Sequence, residues 1–325
     1  MNYKEYILCE LIVLVFLLFI VHFKQSNFLK TEFFMQAINA IRCFLATFFL
    51  SSNIFALSEE QVLHIVERTR PGYEHWLKNI KAKPIINDSQ LIFWVADCKD
   101  PFANIVMKSS FNSSTDLREA VKRVIAIAKE LQTPISWMVA PHAKPADTSS
   151  ILKTNGFLPV ITYEMVELDI QEAIMIEIKN PDIEIRKLDS VSIDAWLNIV
   201  SPAFEYNSAL TKACYEYLQS DVANKAAEQE HYAGYFKGKL VTTGTLLIEY
   251  YGGGHVYDIA TVPEAQHNGM ATAMMQFIIK RADDLGIKTI NLLATDAGKS
   301  IYQKLGFKKL FDMDMFVFSH FTESK

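Results

Sequence analysis

Six consecutive residues, Gln266-His267-Asn268-Gly269-Met270-Ala271, follow a strand-like segment (VYDIATV) and a Pro263-Glu264 turn, and they open a helical pattern. A strand that turns through glycine into a helix presents unpaired backbone N–H groups and the positive end of the helix dipole. Both suit a phosphate group. Gly269 lets the backbone approach an anion with no Cβ in the way, and the small Ala271 keeps that approach open. An ordinary strand-to-helix turn has the same composition, so the hexapeptide alone leaves both readings standing. Nearby are three groups able to move a proton: the imidazole of His255 and the carboxylates Asp258 and Glu249. A lone histidine before a strand is equally a surface residue.

Other patterns are excluded by spacing. Gly298-Lys299-Ser300 imitates the end of a P-loop, but position 293 is Leu where the first glycine is required. Gly252-Gly253-Gly254 fails the dinucleotide spacing and reads as a flexible turn. No Gly-x-Ser-x-Gly stands out. Cys9, Cys43, Cys98 and Cys214 are far apart, with no CxxC or Cys/His ligand set, so neither a metal site nor a disulfide framework is expected.

The elements that must hold these residues follow from periodicity. Alternating runs predict strands over Ile183–Leu188, His231–Phe236, Leu240–Tyr250 and His255–Val262, with Lys237-Gly238-Lys239 as a tight turn. An amphipathic helix is predicted over Leu210–Ala226. Helix Met270–Leu285, strand Lys288–Ala294, helix Lys299–Leu305 and strand Leu310–Phe318 complete the chain. Upstream, Ser58 caps a helix, Leu91–Ala96 and the ISWMVA run are strands, and Asp116–Leu131 has a clean helical period. A short helix leads into Gly156, and Thr162–Leu168 alternates as a strand. Antiparallel strands followed by helix, strand, helix, strand predict an α/β (α+β) fold with a mixed, mostly antiparallel sheet flanked by helices. Leu152-Lys153-Thr154-Asn155-Gly156-Phe157 echoes Tyr302-Gln303-Lys304-Leu305-Gly306-Phe307 after similar preceding elements, as a duplicated fold would produce.

At 325 residues the chain suits two domains, with a boundary near residues 170–182 marked by Pro181-Asp182. Half the residues are hydrophobic and 21% are charged, which is globular; the net charge of −5 and the lack of a basic stripe exclude nucleic acid as a partner. Residues 1–57 form a separate apolar segment. Its run at 6–23 just reaches bilayer length but contains Glu10. A start assigned too far upstream, a membrane anchor on a cytoplasmic protein, and a secretory signal are its three readings.

With these motifs in place, the chain resembles the Gcn5-related N-acetyltransferase superfamily. The family fingerprint, Gln/Arg-x-x-Gly-x-Gly/Ala at the start of the helix after the fourth strand, is matched by Gln266, Gly269 and Ala271. The family's second landmark, a Tyr shortly before Gly-Phe, is matched by Tyr302 before Gly306-Phe307. The resemblance implies an acyl-CoA N-acyltransferase fold in tandem, as in a bacterial subgroup. A degenerate domain at 58–170 would precede the catalytic domain at 181–325. It implies transfer of an acetyl group from acetyl-CoA, with no metal, to the primary amine of a small molecule or peptide.

It further implies that Gln266, His267, Asn268, Gly269, Met270, Ala271 and Thr272 hold the CoA pyrophosphate. The pantetheine arm would run beside Ile259, Ala260, Thr261 and Val262, and Tyr302 would protonate the leaving thiolate. His255 lies near the position where some members carry a catalytic Glu, with Asp258 and Glu249 as rivals. Two departures stand out: Asn268 replaces a frequent basic residue, and Thr295 replaces an Asn that many members place beside the cofactor. The amino-terminal half has no counterpart of the phosphate loop and is expected not to bind CoA. A non-catalytic acyl-CoA-binding module is the alternative from another class.

Overall fold

The computed structural model describes residues 57–178, 180–223, 229–248 and 252–319, and Leu57–Lys325 forms one unit separate from Met1–Ala56. The apolar run at 6–23 and Glu249 lie outside the described residues. Among the described residues no helix is long and apolar enough to cross a membrane.

The chain opens with α1 (Glu59–Asn79), whose Ser58 and Gln61 form a reciprocal capping box. Three short strands follow: β1 (Lys83–Asn87), β2 (Leu91–Val95) and β3 (Ile105–Ser109). Then come α2 (Ser114–Leu131), β4 (Ile135–Val139), α3 (Thr148–Thr154) and β5 (Leu158–Asp169). The second half comprises β6 (Ile183–Lys187), α4 (Ile193–Ala203), α5 (Ser208–Ala223), β7 (Gln229–Phe236), β8 (Lys239–Ile248) and β9 (Gly253–Thr261). It ends with α6 (Met270–Asp284), β10 (Thr289–Ala294), α7 (Lys299–Lys304) and β11 (Lys308–Phe318).

Among the described residues eleven strands join one sheet in the order β1-β2-β3-β4-β11-β5-β10-β9-β8-β7-β6. The sheet is mixed and mostly antiparallel, and β3·β4 and β9·β10 are its parallel pairs. The order from β1 to β7 is a palindrome. Exchanging β1–β5 with β7–β11 reverses the sequence of neighbours and preserves each parallel or antiparallel relation. The helices obey the same exchange, α2 matching α6 and α3 matching α7. Gly156 (φ +89°) and Gly306 (φ +97°) take the same left-handed turn before β5 and β11. The Gly-Phe echo is thus part of a repeat spanning five strands and two helices. The last strands are exchanged: β5 pairs with β10 over Thr289–Ala294, and β11 pairs with β4 over Asp314–Phe318.

One reading of the sequence is corrected. Gly253 and Gly254 begin β9 and do not form a flexible turn, because a Cβ on Gly254 would come within 3.2 Å of Ile290, Leu246 and a backbone oxygen of Leu247. The helix from Ser58 also runs on through Pro71-Gly72, a pair that ordinarily ends a helix. Gly72 permits this by close approach: a Cβ there would overlap Leu247 and lie 3.1 Å from the Tyr257 hydroxyl. The helix from the first half therefore packs on strands of the second.

The core is layered on both sheet faces. α6 buries Met274, Met275, Ile278 and Ile279 against Leu246, Val256, Ile290 and Leu292. Each such side chain contributes about 1.5–3 kcal/mol of gross hydrophobic stabilisation. Across the sheet, Leu77 of α1 joins Trp196 and Val200 of α4 and Leu210 of α5. Glu230 of β7 ties the sheet to α6 through two 2.8 Å bonds from Arg281, supported by the Tyr232 hydroxyl at 2.5 Å. These bonds hold its carboxyl down at about 2, the Arg281 bond contributing most.

Candidate active site

The parallel ladder between β9 and β10 runs Thr289↔Gly253, Ile290↔Gly254, Asn291↔His255 and then ends. β10 continues its pairing with β5 as far as Ala294, while β9 bends away. The bend is a bulge: Thr243 and Thr245 of β8 face Ala260 and Tyr257, so β9 carries an extra residue there. Asp258 sits in it with φ +57°, a left-handed conformation that Asp tolerates better than most side chains. A V-shaped gap results, with Ile259, Ala260 and Thr261 on one arm. On that arm Gln266 Nε2 donates to the Thr261 carbonyl at 3.2 Å and Val262 N donates to Val241 at 2.9 Å, which ties the loop to the strand end.

The residues read from sequence as a phosphate loop lie beyond that arm. Gly269 caps α6 in the left-handed region (φ +82°), and no side chain caps the helix. His267 is left-handed too (φ +61°), so the backbone alternates in hand as anion-cradling nests do. The first intrahelical bond is Ala273 N to Gly269 O at 2.8 Å. The amides of Met270, Ala271 and Thr272 precede it and are unused by the helix. Met270 is buried and pins the helix start, whereas Ala271 and Thr272 remain partly accessible. Asn268 donates from Nδ2 to the Gln266 carbonyl at 3.0 Å, so it braces the loop where a basic side chain would add charge. The matching start of α2 is different: Ser113 Oγ accepts from Asp116 N at 3.1 Å and Asp116 places a carboxylate in the first turn. That helix end is already satisfied and repels anions.

Tyr302 lies on α7, next to the end of β10. It is buried, its ring edge packs on Phe307 at 5.6 Å between centroids, and burial pushes its phenol up to about 12. A Cβ on Gly298 would lie 3.2 Å from its hydroxyl. The equivalent position in the first half is Leu152, which has no hydroxyl. The Thr295 carbonyl accepts from Gly298 N (3.0 Å) and Lys299 N (3.2 Å), so this residue turns β10 into α7.

His255 is buried, not on the surface, and with Asn291 it lines a cavity beneath α1. Asp258 keeps some solvent contact yet is packed deeply enough that burial raises its carboxyl above the ordinary range. The Thr245 hydrogen bond and the nearby His231 oppose the rise. Thr245 Oγ1 donates to Asp258 Oδ2 at 2.8 Å and lies 2.9 Å from His231 Nδ1. His231 Nε2 is 3.0 Å from Asp221 Oδ2 and 3.2 Å from the Tyr217 hydroxyl. This buried chain of polar groups was not found from sequence. Its members come from α5, β7, β8 and β9, and no local pattern links them. Asn291 was missed as well, although a lone amide in TINLLA is a readable signal. Cys98 and Cys214 are buried, and desolvation raises both thiols, Cys98 to about 11, which suits neither to nucleophilic work.

Residues 200–321 match the family model described as Acetyltransferase (GNAT) domain. No curated protein matches the chain. Among solved structures, a GCN5-related N-acetyltransferase from Kribbella flavida is similar with a TM-score of 0.63 and 13% identity, covering 80% of this chain and 96% of that one. A functionally unknown conserved protein from Staphylococcus epidermidis ATCC 12228 gives 0.58 and 14%, covering 74% and 95%. A GCN5-related N-acetyltransferase from Sphaerobacter thermophilus gives 0.53 and 14%, covering 75% and 84%. At such identities the likeness is one of fold. Family model and fingerprint loop agree over residues 200–321, which match an acetyltransferase (GNAT) domain, and the mixed sheet has the fold of GCN5-related N-acetyltransferases.

Proposed function

We propose that the second half of the chain transfers an acetyl group from acetyl-CoA to a primary amine, by direct attack within a ternary complex. The observation that carries this reading is the junction of an uncapped, left-handed glycine loop at α6 with the gap between β9 and β10. The amides of Gln266–Thr272 suit the pyrophosphate of the substrate, and the open edge of β9 at Ile259–Val262 suits the amide-bearing arm as an added strand. A backbone N–H near the bulge would stabilise the oxyanion. The amine nitrogen forms the C–N bond, the C–S bond then breaks, and Tyr302, protonated at all ordinary pH, donates to the leaving thiolate. Asp258, which lines a neighbouring cavity with His231 and Tyr206, accepts the proton lost by the amine through solvent. Thr245, which donates to Asp258, and His231, hydrogen-bonded to both Thr245 and Asp221, link that carboxyl to further polar groups.

In the same reading residues 58–170 are a degenerate copy of the domain at 181–325. The capped, acidic start of α2 and the Leu152 in place of tyrosine support a copy that has lost both binding and chemistry. The test is calorimetry with acetyl-CoA, followed by thiol release in the presence of an amine panel. Binding and amine-dependent release are expected. Binding with no release for any amine would instead assign a non-catalytic acyl-CoA-binding module.

A further inference from the structure

A cavity of about 130 Å³ lies beneath α1, over the point where β9 and β10 part. His255 and Asn291, the last register pair of the parallel ladder, form its floor, and Val66 and Tyr73 of α1 form its roof. Most of the remaining wall is flexible thioether and aliphatic: Met107, Met138, Met165, Met313, Met315 and Leu292. Among the described residues its lining holds no carboxylate. Arg70 is engaged, by Glu67 at 2.8 Å and Glu74 at 2.6 Å. Asn291 is 1% exposed, and among the described residues neither its Oδ1 nor its Nδ2 has a hydrogen-bond partner. A buried amide left unpaired is costly, so a ligand that satisfies both atoms is favoured there.

We infer that this cavity is the acceptor site, and that its substrate is a small apolar primary amine with one neutral oxygen beside the nitrogen, as in an apolar amino alcohol. The inference rests on the acyltransferase reading above. A turn of the buried Asn291 side chain toward the cavity lets Oδ1 accept an amine N–H and Nδ2 donate to the neighbouring oxygen. A long acyl chain in the same space would leave both atoms unpaired. An apolar wall without carboxylates favours the deprotonated amine, which is the attacking form, and rejects a second cationic group. The volume is below the ~300–1,000 Å³ of larger ligand sites, which excludes bulky acceptors. Four strands or helices of the first half supply wall residues, so the degenerate half shapes the acceptor pocket of the other.

The experiment is calorimetry on the full chain with L-phenylalaninol, 2-phenylethylamine and spermidine, each with and without CoA. L-Phenylalaninol should bind saturably, 2-phenylethylamine at least fivefold more weakly, and spermidine without saturable heat. Asn291→Leu should weaken L-phenylalaninol tenfold or more, erase its advantage over 2-phenylethylamine, leave CoA affinity unchanged, and raise the melting temperature by removing an unpaired amide. Met313→Trp, which fills the cavity, should block amine binding with CoA binding intact. Equal binding of spermidine, or unchanged L-phenylalaninol affinity in folded Asn291→Leu, overturns the inference. Loss of CoA binding with Asn291-dependent amine binding retained would overturn the acyltransferase reading and leave the amine pocket standing.

Discussion

Tyr302 and Asp258 divide the proton traffic of the proposed reaction, and burial moves both toward their neutral forms. For Tyr302 that form is the useful one. A phenol pushed up to about 12 is a proton donor throughout pH 6–10, so the alkaline limb of the rate profile should not come from it. Tyr302→Phe should lower turnover by about 10–1000-fold with acetyl-CoA affinity little changed, as steady-state kinetics and calorimetry would show. Normal turnover by a folded variant removes it as the acid. For Asp258 the charged form is the useful one. A raised carboxyl pKa means that the base is lost at higher pH than for an exposed aspartate. The rate should rise through one ionisation above the ordinary carboxylate range and then plateau. Asp258→Asn should flatten that acidic limb and reduce the plateau about 10²-fold or more; an unchanged profile would reassign the base. At the loop, Gly269→Val strains a left-handed position and sets a branched side chain where the anion approaches, so acetyl-CoA affinity should fall at least tenfold. Gly269→Asn, which tolerates that backbone, should lose less. If both variants bind as the parent does, the loop is not the phosphate site. The loop was legible in sequence because its chemistry is local. Asn291 and the chain from Asp221 to Asp258 were not, because strand pairing brings them together.

At the scale of elements, α6 and its neighbours carry the proposed site, and their boundaries were readable to within two residues. Helical period, Gly286 and the apolar run TINLLA all coincide there. Two strands were missed for physical reasons. β1 is an edge strand of five residues with Pro84 inside it and a single buried position, and β3 is buried at its first two positions alone. Neither shows the alternation that marks a strand. The bond from Arg281 to Glu230 fastens α6 to the sheet, and its pH dependence is predictable. The Glu230 carboxyl is held down at about 2 against 4.5, so its stabilisation is present above pH 4.5 and lost as pH falls toward 2. Glu230→Gln should lower stability at pH 7 by about 1–3 kcal/mol and by much less at pH 2–3, read from urea melts at each pH. An equal loss at both pH values would show that packing, not charge, holds the contact.

Across the whole molecule, the exchange of β5 and β11 makes the two halves one folding unit. A chain beginning at Leu57 should be folded and should bind CoA. A chain of residues 181–325 alone lacks β5 between β10 and β11, and it should be insoluble or molten by near-ultraviolet circular dichroism until residues 57–178 are supplied as a second chain. A stable, CoA-binding fragment 181–325 would show that the exchanged strand is dispensable. The Gly-Phe echo disclosed the repeat. It could not disclose the exchange, since β5 and β11 have the same local character whichever neighbour they pair with.

The crossed strands also set a timetable for synthesis. Thr162 of β5 hydrogen-bonds to Asp314 of β11 across 152 residues of chain. At ~5–20 residues per second the ribosome needs roughly 8–30 s to deliver that partner. Until β10 and then β11 are made β5 lacks its neighbours, and its Leu158 and Val160, exposed even in the finished fold, offer an apolar strand to any other chain. The nascent first half therefore waits with an open seam, and the crowding of polysomes, more than the stability of the finished protein, should govern how much of it survives to fold.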